Sequence, residues 1–70
     1  MPLIIAPTDR ALKVVKILTD FNMQNYLKSL GIAVNTNISV VSKTDNSIIC
    51  MVNDTKIALD NDIAQKIFVA

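Results

Sequence analysis

The chain has 70 residues, with no histidine, no glutamate, no tryptophan, one cysteine and one glycine. Without histidine it cannot form a Ser–His or Cys–His nucleophile, and a single glycine cannot build a glycine-rich phosphate loop. Cys50 lies in the apolar run SIICMV, where a free cysteine usually packs as a small hydrophobic side chain. A zinc site made from one cysteine and aspartates would be unusual. We therefore expect no enzyme, no cofactor and no metal-ligand residues.

Long apolar runs and clustered charges are also missing. No apolar run approaches the roughly 18 residues of a membrane span, and the N-terminal MPLIIAPTDR lacks the basic region of a signal peptide. The net charge is +1, and the basic residues are scattered along the chain, whereas nucleic-acid binders concentrate them on one face. These features predict a cytoplasmic protein without a nucleic-acid partner.

The residues that are present favour a small β protein of one domain, residues 1–70. Hydrophobic residues make up 51% of the chain and aromatic residues only 4%, so the core must consist of Ile, Val and Leu, which favour strands. In ALKVVKIL, residues 11–18, Leu12 and Val14 alternate with Lys13, and the phase then slips. This slip predicts a strand with a bulge near Val15 and Lys16.

A short helix should follow this strand. Apolar residues recur at helical spacing, at Met23, Tyr26, Leu27 and Leu30. Asn22 is the predicted N-cap, and Phe21 and Tyr26 stand at the positions of a hydrophobic staple. Gly31 follows the last periodic residue, where a left-handed residue commonly ends a helix in a Schellman motif. The only glycine is therefore expected to stop the helix.

The second half of the chain reads as strands with short connections. TNISVVSK, residues 36–43, is a strand, and the polar run 44–47 is a turn. SIICMVNDTKIALD is a hairpin with Asn53 and Asp54 at the centre of its turn. This register places Cys50 on the core face and points Ile49 and Met51 outward.

Asp60 should cap a helical turn over NDIAQ, and KIFVA closes the chain as a fifth strand. With one helix after the first strand and a helical turn before the last, the sequence predicts a mainly β fold, a small SH3-like barrel of about five strands.

The order of these elements resembles the FeoA family of the bacterial ferrous iron transport system. The resemblance is carried by residues along the whole chain: Met1-Pro2-Leu3, Pro7, Val14, Ile17, Leu27, Leu30-Gly31-Ile32, Ile57-Ala58-Leu59, Ala64, Ile67 and Val69. The chain departs from the family pattern where Pro7-Thr8 and Val34-Asn35 replace Pro-Gly pairs and where Asp54 replaces the hairpin glycine. Asn and Asp tolerate positive φ better than most residues, so these departures should affect turns more than the fold.

The resemblance implies an accessory protein that binds the cytoplasmic part of FeoB, a membrane transporter, and regulates or assembles it. It would meet the membrane only indirectly, through that transporter, and a homo-oligomer is an open alternative. Candidate partner-binding residues are Lys28 and Ser29 on the polar face of the helix, and Ile49 and Met51 on the outward hairpin face. Two other functions stay open: a small barrel that binds nucleic acid, and a module that binds iron directly.

Overall fold

The structure is a computed structural model that describes residues 1–70. A short 3₁₀ helix precedes five strands and two α-helices, and the sequence does not predict this first element. The bounds are 3₁₀ helix Leu3–Ile5, β1 Leu12–Ile17, α1 Phe21–Ser29, β2 Asn37–Lys43, β3 Ser47–Val52, β4 Thr55–Asp60, α2 Asn61–Ala64 and β5 Ile67–Val69. The number and order of the predicted strands and helices are confirmed.

All five strands join one antiparallel sheet in the order β4-β3-β2-β1-β5. The mainly β class is confirmed. The word barrel describes the sheet only loosely, because the two end strands, β4 and β5, do not pair with each other. The sheet is therefore open, and β4 forms one of its edges.

Strand β1 carries the predicted bulge where it pairs with β5. Val14 lies opposite Val69 and Lys16 lies opposite Phe68, so Val15 has no partner in this ladder. The extra residue changes which face the side chains occupy: Val14 is fully buried and Val15 is 46% exposed. A bulge re-aims side chains in this way.

Helix α1 begins two residues earlier than the sequence predicts. Its N-cap is Asp20, whose Oδ1 accepts a hydrogen bond of 2.8 Å from the backbone N–H of Met23. The predicted N-cap, Asn22, lies inside the first turn, so that assignment is wrong. The predicted staple is wrong too, because Phe21 and Tyr26 are both exposed. Aspartate and asparagine are equally good N-caps, and a carboxylate also suits the positive end of the helix dipole.

The end of α1 is a Schellman motif around Gly31, as the sequence predicts. Gly31 has a φ of 91°, and its backbone N–H donates to the Lys28 carbonyl at 2.9 Å. The N–H of Ile32 donates to the Leu27 carbonyl, also at 2.9 Å. Ile32 and Leu27 are both fully buried, so this ending fixes the helix on the core.

The β3–β4 hairpin has the predicted register. Cys50 lies opposite Ile57 and is fully buried. The turn residues Asn53 and Asp54 have φ of 49° and 65°, as a type I′ turn requires. Asn35, where the sequence departs from the pattern it resembles, also has a positive φ, of 77°. With Asp9, whose φ is 58°, Asn and Asp therefore occupy four left-handed positions outside the helix end.

The core consists of 15 buried residues and contains no polar or charged residue. Aliphatic side chains from every strand, from both α-helices and from the 3₁₀ helix meet in it. Its members are Leu3, Ala6, Leu12, Val14, Leu27, Ile32, Ile38, Val40, Ile48, Cys50, Val52, Leu59, Ala64, Ile67 and Val69.

Helix α2 is held by its neighbours rather than by its predicted cap. Asp60 occupies the N-cap position, but its side chain makes no capping hydrogen bond. Instead, the backbone N–H of Asn61 donates to the Asn46 carbonyl and its Nδ2 donates to the Asp45 carbonyl, both at 3.0 Å. These bonds fasten the start of α2 to the β2–β3 turn.

Candidate interaction surface

The outward residues of the hairpin form one continuous surface. Ile49 lies opposite Ala58, and Met51 lies opposite Lys56. Alternation along β3 buries the residues between them and leaves Ile49 and Met51 partly exposed, while Ala58 and Lys56 are exposed. We call these four residues the outer β3–β4 face. It presents apolar side chains with one positive charge beside them.

Met51 extends this face towards the tip of the hairpin. It lines a groove of about 360 Å³ with six other residues. Three of them lie on β2, two lie in the hairpin turn and one precedes β1: Asn37, Ile38, Ser39, Asn53, Asp54 and Ala11. The groove contains apolar and polar side chains in similar number. It therefore suits a protein segment with both kinds of side chain better than a purely apolar ligand.

The other candidate residues lie on α1. Lys28 and Ser29 are both exposed, and the Ser29 hydroxyl donates to the Tyr26 carbonyl within the helix. Lys28 stands at a groove of about 310 Å³ between the helix and the segment that follows it, lined by Ile17, Gln24, Lys28, Ile32, Ala33 and Val34. Four of these six residues are hydrophobic, so an apolar segment with a negative charge near Lys28 would fit.

The structure places the two candidate regions on different surfaces. No residue of the outer β3–β4 face lines the groove beside Lys28. Helix α1 and the hairpin approach each other at the hairpin tip, because a Cβ atom on Gly31 would lie 3.2 Å from Val52 Cγ1. They also meet along β4, where Tyr26 and Ala58 line one groove.

Two aromatic side chains of α1 are exposed, which the sequence does not predict. Phe21 is 75% exposed and Tyr26 is 58% exposed. Tyr26 lines a third groove, of about 150 Å³, whose other residues are Met23, Leu27, Ala58, Leu59, Asp60 and Ile63. Asp20 is the residue in the sequence that could have indicated this exposure. It is as good an N-cap as Asn22, and a helix that begins after Asp20 contains Phe21, so no staple forms. This groove borders the edge strand β4.

Cys50 has no accessible chemistry. Its side chain is fully buried, and its Sγ donates to the Ile57 carbonyl at 3.4 Å. Burial raises the pKa of the Cys50 thiol from 9.0 to about 11. The thiolate is the form that attacks electrophiles and binds metals, so the neutral thiol of this residue serves packing.

The acidic residues gather most closely beside α2. Asp45, Asp60 and Asp62 line a polar groove of about 230 Å³ with Asn46 and Asn61. No three His, Cys, Asp or Glu side chains stand close enough together to hold a metal ion.

Neither α-helix combines the length with the apolar character that a membrane-spanning helix needs.

Comparison with solved structures finds the same fold in other proteins. An iron uptake regulatory protein (FeoA), known from a crystal structure, is 26% identical, with a TM-score of 0.89 over 99% of this chain and 93% of that one. The FeoA protein from Chlorobium tepidum is 17% identical, with a TM-score of 0.89 over 99% of this chain and 68% of that one. Part of the longer protein ScaR with bound Zn²⁺ also matches, at 24% identity and a TM-score of 0.87, over 99% of this chain and 35% of that one.

Sequence comparison leads to the same group of proteins. The search among curated proteins found no significant match. The family model described as FeoA domain matches residues 1–70, from the first residue of the sequence to the last. The chain therefore belongs to the FeoA family.

Proposed function

We propose that this chain is a small cytoplasmic accessory protein of a bacterial ferrous iron uptake system and that it binds the cytoplasmic part of a FeoB-type transporter. Membership of the FeoA family implies involvement in ferrous iron transport. The match of a FeoA domain to residues 1–70 is the observation on which the proposal rests. In this role the protein would regulate or assemble the transporter.

The chemistry of the surface supports binding rather than catalysis. The buried Cys50 offers no nucleophile. The outer β3–β4 face instead exposes apolar area next to Lys56, and exposed apolar surface commonly marks protein interaction sites. We place the transporter contact on this face, with Ile49 and Met51 at its centre. Lys28 and Ser29 on α1 are the alternative contact.

A pull-down with the transporter's cytoplasmic domain as bait, with and without guanine nucleotide, tests the proposal. The purified chain should be retained. The double variant Ile49→Ser with Met51→Ser should bind at least about tenfold more weakly if these residues form the interface core. A chain that is not retained under any nucleotide condition would contradict the transporter partnership.

Matched variants separate the two candidate contacts. Val15→Ser removes an exposed apolar side chain from β1, which lies outside the outer β3–β4 face, and should bind like the parent. Lys28→Asp reverses the charge beside the groove on α1. If only Lys28→Asp weakens retention, the contact lies on α1 and our placement on the outer β3–β4 face is wrong.

A further inference from the structure

Strand β4 is an unpaired edge of the sheet. It pairs with β3 along its whole length and with no other strand, and neither isolated bridge involves it. The opposite end of the sheet is different, because Pro2 forms a bridge with Phe68 of β5. An open edge presents free N–H and C=O groups to any extended segment that can pair with it.

The hairpin register shows which groups are free. Val52 and Thr55 flank a two-residue turn and therefore form a hydrogen-bonded pair. Such pairs alternate along an antiparallel ladder, so the backbone groups of Ile57 point towards β3. Those of Lys56 and Ala58 point away from it. No backbone hydrogen bond outside the regular helices and strands involves Lys56 or Ala58.

The charges along this edge have a self-complementary order. Lys56 and Asp60 are both exposed and stand two positions on either side of the exposed Ala58. When two copies of β4 run antiparallel with Ala58 opposite the partner's Ala58, Lys56 lies opposite the partner's Asp60, and the same pair recurs on the other side. Opposite charges directly across a strand pair are stabilising, and like charges are destabilising.

We propose that two copies of this chain associate through β4 in this register and form one continuous ten-stranded sheet around a two-fold axis at Ala58. Shifting the axis to Lys56 places two lysines opposite each other, and shifting it to Asp60 places two aspartates opposite each other. A one-residue shift pairs neither lysine with an aspartate. The register centred on Ala58 is thus the one in which the charges of Lys56 and Asp60 stabilise the dimer. This inference does not depend on the proposed function.

Neighbouring surfaces fit the same arrangement. The side chain of Ala58 is small, so two copies can approach at the axis. The groove of about 150 Å³ that holds Tyr26 is bordered by Ala58 and Asp60, and a second copy at the edge would cover apolar area there. Ile49 lies next to Ala58 on the outer β3–β4 face, so the outer β3–β4 faces of the two copies would adjoin.

Sedimentation equilibrium of the whole chain at low salt, from about 10 µM to 1 mM, tests the pairing. We expect a monomer–dimer equilibrium. Ala58→Pro removes an N–H that is free in the monomer, which an edge strand tolerates, and should abolish the dimer while circular dichroism shows the same fold. A chain that stays monomeric throughout, or a folded Ala58→Pro variant that still dimerises, would overturn the proposal.

Charge reversal tests the register. Lys56→Asp should raise the dimer dissociation constant at least about tenfold, because two aspartates then face each other on both sides of the axis. Combining Lys56→Asp with Asp60→Lys should restore the affinity. Lys13→Asp, on β1, changes the net charge equally and should leave association unchanged. If the combined variant folds but dimerises no better than Lys56→Asp, the register is wrong.

Amide hydrogen exchange gives a measurement that needs no substitution. The free amides of Lys56 and Ala58 should exchange slowly at high protein concentration and rapidly at low concentration. The Ile57 amide, which points to β3, should be protected at both. Exchange at Lys56 and Ala58 that does not depend on concentration would contradict pairing through β4.

Discussion

Gly31 and Asn53 meet where the end of helix α1 lies against the tip of the β3–β4 hairpin. A Cβ atom built on Gly31 would stand 3.1 Å from the side-chain nitrogen of Asn53. Both residues also have positive φ. Two chain reversals that are distant in sequence are therefore packed against each other, and the single glycine of the chain lies at their contact.

Substitution of Gly31 should be costly for two reasons. A β-branched residue is strained at a φ of 91°, and its side chain would press on Asn53. We expect Gly31→Val to lower the free energy of unfolding by about 1–3 kcal/mol, a large part of the stability of a small domain. Gly31→Ala should lose less. Urea unfolding measures both, and a Gly31→Val variant as stable as the parent would exclude a strained left-handed cap.

The N-cap of α1 can be tested by comparing two alanine variants. Asp20→Ala removes the acceptor of the hydrogen bond from Met23 and should cost about 0.5–2 kcal/mol. Asn22→Ala changes an exposed position within the first turn, where alanine is the better helix former, and should be neutral or slightly stabilising. Thermal melts of the two variants compare these losses of stability. A larger loss for Asn22→Ala would reinstate Asn22 as the cap.

Cys50 should make stability fall at high pH. Its pKa in the folded protein is about 11 against 9.0 for an unperturbed thiol, so the folded state holds the proton more tightly. The stabilisation of the folded state by the protonated Cys50 thiol is fully present below pH 9 and is lost between pH 9 and 11. A shift of this size corresponds to roughly 3 kcal/mol.

The control for this pH dependence is Cys50→Ala, which removes the thiol. Its unfolding free energy should fall less steeply than that of the parent between pH 9 and 11. Cys50 in the folded parent should also react slowly with a thiol reagent at pH 8. Parallel pH profiles for the two proteins, or rapid labelling, would show that Cys50 is not buried.

The two faces of β3 should differ sharply in their tolerance of serine. Ile48 is 1% exposed, and Ile48→Ser buries a hydroxyl in an apolar site and removes packing, at a cost of about 3 kcal/mol or more. Ile49→Ser with Met51→Ser changes partly exposed side chains and should keep the cooperative melt with a smaller loss. Loss of folding in the double variant would mean that these side chains are essential to the core.

Local geometry was predictable from the sequence wherever neighbouring residues decide it. The left-handed ending at Gly31 follows from a glycine after the last apolar residue of a helix. The turn at Asn53 and Asp54 follows from residues that tolerate positive φ between two apolar runs. With that turn placed, a period of two determines which residues of β3 face the core, and the prediction of Cys50 as buried needed no further information.

The candidate surfaces were only partly predictable. Alternation within β3 identifies Ile49 and Met51 as outward, but their partly buried state depends on neighbours across the sheet. Asn22 as the N-cap places Phe21 and Tyr26 in a staple, but the structure has Asp20 as the cap and both aromatic side chains exposed. Aspartate and asparagine cap helices about equally well, so local preference does not choose between Asp20 and Asn22.

Residue order alone thus predicts the turns, the end of α1, the bulge near Val15 and the inward face of each strand, because each depends on a few adjacent residues. Packing leaves the sheet open with β4 at its edge, and it puts Lys28 and Met51 at different grooves. These features depend on how whole strands and helices pack together. Apolar alternation indicates a strand, but it does not indicate which other strand that strand pairs with or whether it lies at an edge of the sheet.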